Sequence, residues 1–113
     1  MANAREIALK TLYKIEYEGA YSNLALKEAL HKAELSEVDK GFVTALVYGT
    51  IQRKITLDFY ISQFSKIKLK KISKYILLIL ELGIYQLLFT DKVPQSAAVN
   101  ESVKLAKRYG HAS

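Results

Sequence analysis

The sequence predicts an all-α bundle of helices, and three observations carry that prediction. Apolar residues recur at three- and four-residue spacing along most of the chain, which is the period of a helix face. Ala, Leu, Ile, Lys and Glu dominate the composition, and straight-chain residues of this kind favour helices. One proline and five glycines are too few for the tight turns of a sandwich or barrel. The 113 residues suit one domain over 1–113 with one modest core. No repeat, low-complexity linker or composition boundary divides the chain.

The first helix is expected to start at Asn3. Asn3 followed by Glu6 is a capping-box-like signal, and Ala4, Ile7, Ala8, Leu12 and Ile15 lie on one face. Gly19 closes this region. A short second helix follows Ser22-Asn23, with Leu24, Ala25, Leu26, Ala29, Leu30 and Ala33 as its apolar positions. Ser36 with Asp39 signals a third start. From there one broken helix or two consecutive helices run to Phe64. Gly49 lies inside the pattern and either permits a close contact or marks a kink. Ser65–Lys74 is a connector in which five of ten residues are Lys and none is acidic. The most apolar helix, from about Ile72 to Phe89, is apolar nearly all round and belongs at the centre of a bundle. Pro94 precedes a last helix, with Ser96 as its expected cap and Gly110 as its stop. Asn100-Glu101 is expected to make a buried hydrogen bond that fixes a neighbouring segment.

Charge is uneven. Residues 1–60 hold eight Lys/Arg and eight Asp/Glu, whereas residues 61–113 hold nine against three. The whole excess of +6 therefore lies in the second part, and such a half fits a polyanionic partner. If the segment around Ile72 is helical, Lys70, Lys71 and Lys74 share the face opposite Ile72, Ile76 and Ile79. Lys104, Lys107 and Arg108 form a second cluster, and Arg5 and Lys10 lie along the first helix with Lys14. Cations so placed contact phosphates and position a nucleic acid without reading bases. Tyr13, Tyr17, Tyr21 and Tyr109 are candidates for stacking on unpaired bases, although tyrosines at core edges more commonly pack.

Candidates for catalysis are few. There is no cysteine, which excludes a disulfide framework and thiolate metal sites and points to a reducing, cytoplasmic setting. His31 and His111 are far apart in sequence, with no acid at ligand spacing. No glycine-rich phosphate loop is present, and Ser22, Ser36 and Ser96 read as caps. The acids fall at helix starts or on polar faces. Glu81, inside the most apolar helix, needs a partner because unpaired burial is costly; a contact to a protein partner is the alternative reading. The apolar run Tyr75–Phe89 falls short of the roughly 20 residues that span a bilayer, and no signal peptide opens the chain. No catalytic residue, cofactor or metal site and no membrane association is expected.

Two ordered motifs carry a resemblance. Ala4-Arg5-Glu6-Ile7-Ala8-Leu9-Lys10-Thr11-Leu12-Tyr13 resembles the opening helix of the NusB family. Val93-Pro94, with Val99-Asn100-Glu101-Ser102-Val103-Lys104-Leu105-Ala106-Lys107, resembles that family's second signature. The family has two main branches, the free transcription antitermination factors and the N-terminal domain of the RsmB (Sun/Fmu) methyltransferases. Tyr21-Ser22-Asn23-Leu24-Ala25-Leu26, Phe42–Ile51 and Pro94–Ser102 are similar to the second. The resemblance implies a NusB-like bundle in two packed subsets, lacking its last helix. It implies an RNA-binding accessory domain of a 16S rRNA (cytosine-C5) methyltransferase, active in rRNA processing. The partners implied are ribosomal RNA and a catalytic domain in cis that uses S-adenosylmethionine and cysteine nucleophiles.

The antitermination branch implies instead a regulator of transcription that binds nascent RNA with a ribosomal protein. Two departures are visible. Only Met1-Ala2-Asn3 precedes the first motif, where antitermination factors often carry an Arg-rich run, so only Arg5 transfers by position. The family's further helix would follow Ser113, and apolar surface that it covers is expected to be exposed or to drive self-association.

Overall fold

The structure is a computed structural model that describes residues 3–110. Six α-helices follow one another: α1 (Ala4–Tyr17), α2 (Ser22–Lys32), α3 (Glu37–Gln52), α4 (Lys54–Phe64), α5 (Lys74–Phe89) and α6 (Gln95–Tyr109). A 3₁₀ turn, Leu69–Lys71, precedes α5, and there is no strand among the described residues. The all-helical expectation holds. The chain forms two compact units, residues 1–48 and 49–113. Their division falls inside α3 rather than at a linker.

In the first unit, α1 packs on α2. The Asn3 side-chain oxygen accepts from the Glu6 amide at 3.0 Å, the cap that the sequence predicts. Removing it by Asn3→Ala should cost about 1 kcal/mol in a urea titration; an unchanged midpoint would show that the bond contributes nothing. Ala8, Leu9 and Leu12 are fully buried. Gly19 takes φ of +75° just after α1, a left-handed turn that suits glycine. Ser36 Oγ accepts from the Asp39 amide at 3.1 Å, again as expected.

In the second unit, α5 packs on both α4 and α6. Leu77, Leu78, Ile79 and Leu82 of α5 are buried with Leu57 and Ile61 of α4 and with Ala98 and Leu105 of α6. The break between α3 and α4 falls at Arg53, so the two-helix alternative is correct. Gly49 remains helical and lies against the Tyr85 ring of α5; close contact, not a kink, explains it.

Four expectations need correction. Ser22 and Ser96 are not caps. Tyr21 and Pro94 hold the extended cap positions, so each serine is already inside its helix. The most apolar helix starts at Lys74 rather than Ile72, because the Ser73 side chain accepts from the Ile76 amide and begins it there. Lys70 and Lys71 therefore lie on the 3₁₀ turn and do not share a helical face with Lys74. Finally, Asn100 is exposed, and Glu101 accepts from Lys104 on its own helix. The expected buried hydrogen bond does not form, since the buried positions Ala98 and Leu105 define a different face of α6.

Candidate nucleic-acid interface

The first unit carries six Lys/Arg against seven Asp/Glu, and the second carries eleven against four. The positive excess of the protein thus belongs entirely to the second unit. Two groups of exposed cations stand out in it. One is the stretch between α4 and α5, where Lys66, Lys68, Lys70, Lys71 and Lys74 are all exposed within nine residues. The connector alternates lysine with Ile67 and Leu69, and no acid interrupts it. The other lies on α6. There Lys104 and Lys107 line a shallow depression with Pro94, Ser96, Asn100 and Glu101. Lys104 is held by Glu101 at 3.2 Å, and Arg108 is exposed one residue beyond Lys107.

The remaining expected cations are in the first unit. The Arg5 guanidinium lies over the Phe42 ring, 5.2 Å from its centre, a contact that fixes the side chain against α3. Lys10 is exposed on α1. Of the four candidate stacking tyrosines, three engage other rings. Tyr13 and Tyr17 pack at 5.2 Å, and Tyr109 packs on Tyr75 at 4.9 Å. Tyr21, at 75 % exposure, is the one that offers an open face. His31 is exposed on α2, while His111 falls outside the described residues. Among the described residues no group of three or more His, Asp or Glu side chains could hold a metal ion. No described helix is long and apolar enough to cross a membrane.

Glu81 has the partner that its position demands. Its side chain is 1 % exposed and receives a hydrogen bond from Lys54 Nζ at 2.9 Å. The same ammonium approaches Asp58 at 3.5 Å, and Asp58 Oδ1 is buried without a partner. Burial raises the Glu81 carboxyl to about 8; the neighbouring Asp58 carboxylate adds to the rise and Lys54 opposes it. This cluster joins α4 to α5 and was not legible as a site. The available signal was Lys54 and Asp58 four residues apart on one helix; the acid that needed company lies on α5. A second feature was also unforeseen: Arg53 stacks over Phe89 at 4.2 Å.

An apolar groove opens between α5 and α6. Ile79, Leu80, Ile84, Leu87, Val99 and Val103 line it around Gly83 and Ser102, and Leu80, Val99 and Val103 stay exposed.

Fold and charge together define a basic, all-helical domain. The chain belongs to the NusB family, which it matches over residues 2–113. It is 42 % identical over 109 residues to a protein named probable ribosomal RNA small subunit methyltransferase B of Bacillus subtilis, covering 96 % of this chain and 24 % of that protein. A relative of the same name in Synechocystis is also 42 % identical, over 97 % of this chain and 25 % of that protein. The transcription antitermination protein NusB of Acetivibrio thermocellus is 36 % identical over 94 % of this chain and 74 % of that protein. The chain therefore spans about a quarter of the length of the methyltransferase relatives.

Proposed function

We propose that this domain is an RNA-binding accessory module of an S-adenosylmethionine-dependent 16S rRNA cytosine-C5 methyltransferase. The observation that supports the reading best is the 42 % identity to the methyltransferase relatives across nearly the whole chain, against 36 % to the antitermination protein. In this reading the module holds ribosomal RNA in the cytoplasm for a catalytic domain on the same polypeptide. That domain supplies the methyl donor site and the cysteine nucleophiles.

The RNA contacts we assign are Lys70, Lys71 and Lys74 together with Lys104, Lys107 and Arg108, because the positive excess belongs to their unit. They contact phosphates, so they set affinity and register rather than base preference.

The test is a salt titration of binding to a single-stranded segment of small-subunit ribosomal RNA. Affinity should fall steeply with salt, by about 0.7 power of concentration for each phosphate contacted on a single strand. Reversing Lys70, Lys71 and Lys74 to Glu should weaken binding roughly tenfold and flatten that slope, with the helical circular dichroism unchanged. Unaltered affinity in the triple variant would remove the connector from the footprint.

A second reading, a free antitermination factor acting on nascent RNA with a ribosomal protein, is supported by the 74 % coverage of the Acetivibrio protein. Reading the gene past Ser113 separates the two. A long continuation with a cysteine-bearing, S-adenosylmethionine-binding domain supports the first. A stop codon within one more helix supports the second.

A further inference from the structure

In the first unit, α1 and α2 enclose a groove that the RNA reading does not use. Ile7 and Thr11 of α1, Ala29 of α2 and Ala33 just after that helix form its floor, and Lys10, Lys14 and Lys32 stand around it. The alanines supply the space, because a larger residue at either position would close the gap between the helices. The Thr11 hydroxyl donates to the Ile7 carbonyl at 2.7 Å, so it is spent within its own helix. The floor thus offers aliphatic surface with no ring on which a base could stack and no free polar group to read a base edge. Recognition of unpaired bases requires one or the other.

The rim is cationic in a unit that otherwise has more acids than bases. Lys10 and Lys14 have no ion-pair partner among the described residues, whereas Lys32 is paired with Glu28 at 2.8 Å. The hydrogen bond from Lys32, then the charges of Lys32 and Lys14, hold the Glu28 carboxyl below its ordinary range. Lys14 and Lys32 thus act together on one carboxylate, and that carboxylate pairs with only one of the three ammonium groups.

We infer that this groove docks an acidic, amphipathic segment of a protein partner, with aliphatic side chains on the Ile7–Ala29–Ala33 floor and carboxylates on Lys10 and Lys14. Charge complementarity selects this occupant. Long lysine stems cover apolar surface while their heads stay in water, so a ligand matching both parts needs apolar and acidic residues on one side. A helix with Leu and Glu at three- and four-residue spacing meets that requirement. A bare polyphosphate chain would leave the floor uncovered.

The experiment uses the whole 113-residue chain and a fluorescein-labelled synthetic peptide with Leu and Glu on one helical face. Two control peptides replace the Leu residues by Ser or the Glu residues by Gln. Anisotropy should report saturable binding of the first peptide and binding at least tenfold weaker for each control. Lys10→Glu with Lys14→Glu should reduce affinity by a similar factor, with circular dichroism unchanged. Ala29→Leu, which fills the floor without touching charge, should do the same. No binding, or equal binding of the Ser peptide, overturns the proposal. So does displacement of the peptide by single-stranded RNA that the Lys10/Lys14 variant no longer binds, since the groove would then be an RNA site. Sedimentation of the free chain closes the remaining route: a dimer that Lys10→Glu with Lys14→Glu disperses would make a second copy the occupant and overturn the inference equally.

Discussion

Stability should fall as pH rises from about 4.5 to about 8, and Glu81→Gln should remove most of that fall. The cause is the carboxyl buried between α4 and α5. In the unfolded chain Glu81 has its ordinary value of 4.5, whereas in the folded protein it is raised to about 8, with desolvation the largest contribution. Between those two values the folded state holds a proton that the unfolded state has released. Stability is then fully present below the lower value, declines across the window and is flat above it. The full decline is on the order of 5 kcal/mol, from about 1.4 kcal/mol per pH unit.

Gln keeps a neutral side chain of the same shape, with an acceptor for Lys54 and a donor for the buried Asp58 oxygen. The variant should therefore be more stable than the native protein at pH 9 and close to it at pH 5. Urea titrations at a series of pH values measure the slope directly. A Glu81→Gln profile that parallels the native one would mean that Glu81 folds in its ionised form, with Lys54 outweighing burial. Replacing Lys54 by Met tests the same balance from the other side. Without the ammonium, the carboxyl should rise further and the decline should extend to higher pH.

Much of this arrangement could be read from the residues, and what could not was non-local. Asn3 and Ser36 were legible as caps because a side-chain oxygen three residues before an amide is a purely local geometry. Ser22 and Ser96 look the same in sequence but are not caps. At those sites the preceding residue supplies the extended backbone: Tyr21 in one case, Pro94 in the other. Pro94 already fixes φ near −60°, leaving Ser96 two residues past the cap position.

The lysine connector was visible as composition but not as shape. Reading Lys70, Lys71 and Lys74 as one helical face assumed that α5 reached back through Ile72, and Ser73 stops it short. Glu81 was visible as a residue needing company, but its partners stand 27 and 23 positions away, and nothing local names them. The groove between α1 and α2 was hidden for a related reason. Lys10 and Lys14 come from one helix and Lys32 from another, so only packing brings them together.

Gly49→Ala should destabilise the protein although the substitution improves helix propensity. At an unobstructed helical site, alanine gains about 1 kcal/mol over glycine. Gly41 supplies that control: it is exposed within α3 and has open space where a Cβ would stand, so Gly41→Ala should stabilise by about 0.5–1 kcal/mol. A Cβ on Gly49 instead runs into the Tyr85 ring. That ring is rigid and is not free to retreat. It stacks on Phe89 at 6.3 Å, and Phe89 carries Arg53 on its face at 4.2 Å. Displacing Tyr85 therefore disturbs a chain of contacts joining α5 to the start of α4. Overpacking of this kind costs roughly 1–3 kcal/mol, enough to cancel the propensity gain and reverse its sign. Gly83 falls between the two, because its Cβ would approach Ser102 Oγ at 2.9 Å, a hydroxyl that one bond rotation moves away. Gly83→Ala should be nearly neutral. Urea midpoints for the three variants should thus rank Gly41→Ala above Gly83→Ala above Gly49→Ala. Adding Tyr85→Ala to Gly49→Ala should recover the propensity gain, with a coupling above about 1 kcal/mol in the double-mutant cycle. Equal midpoints for Gly41→Ala and Gly49→Ala would show that Tyr85 yields without cost and that close approach is not the reason for glycine at this position.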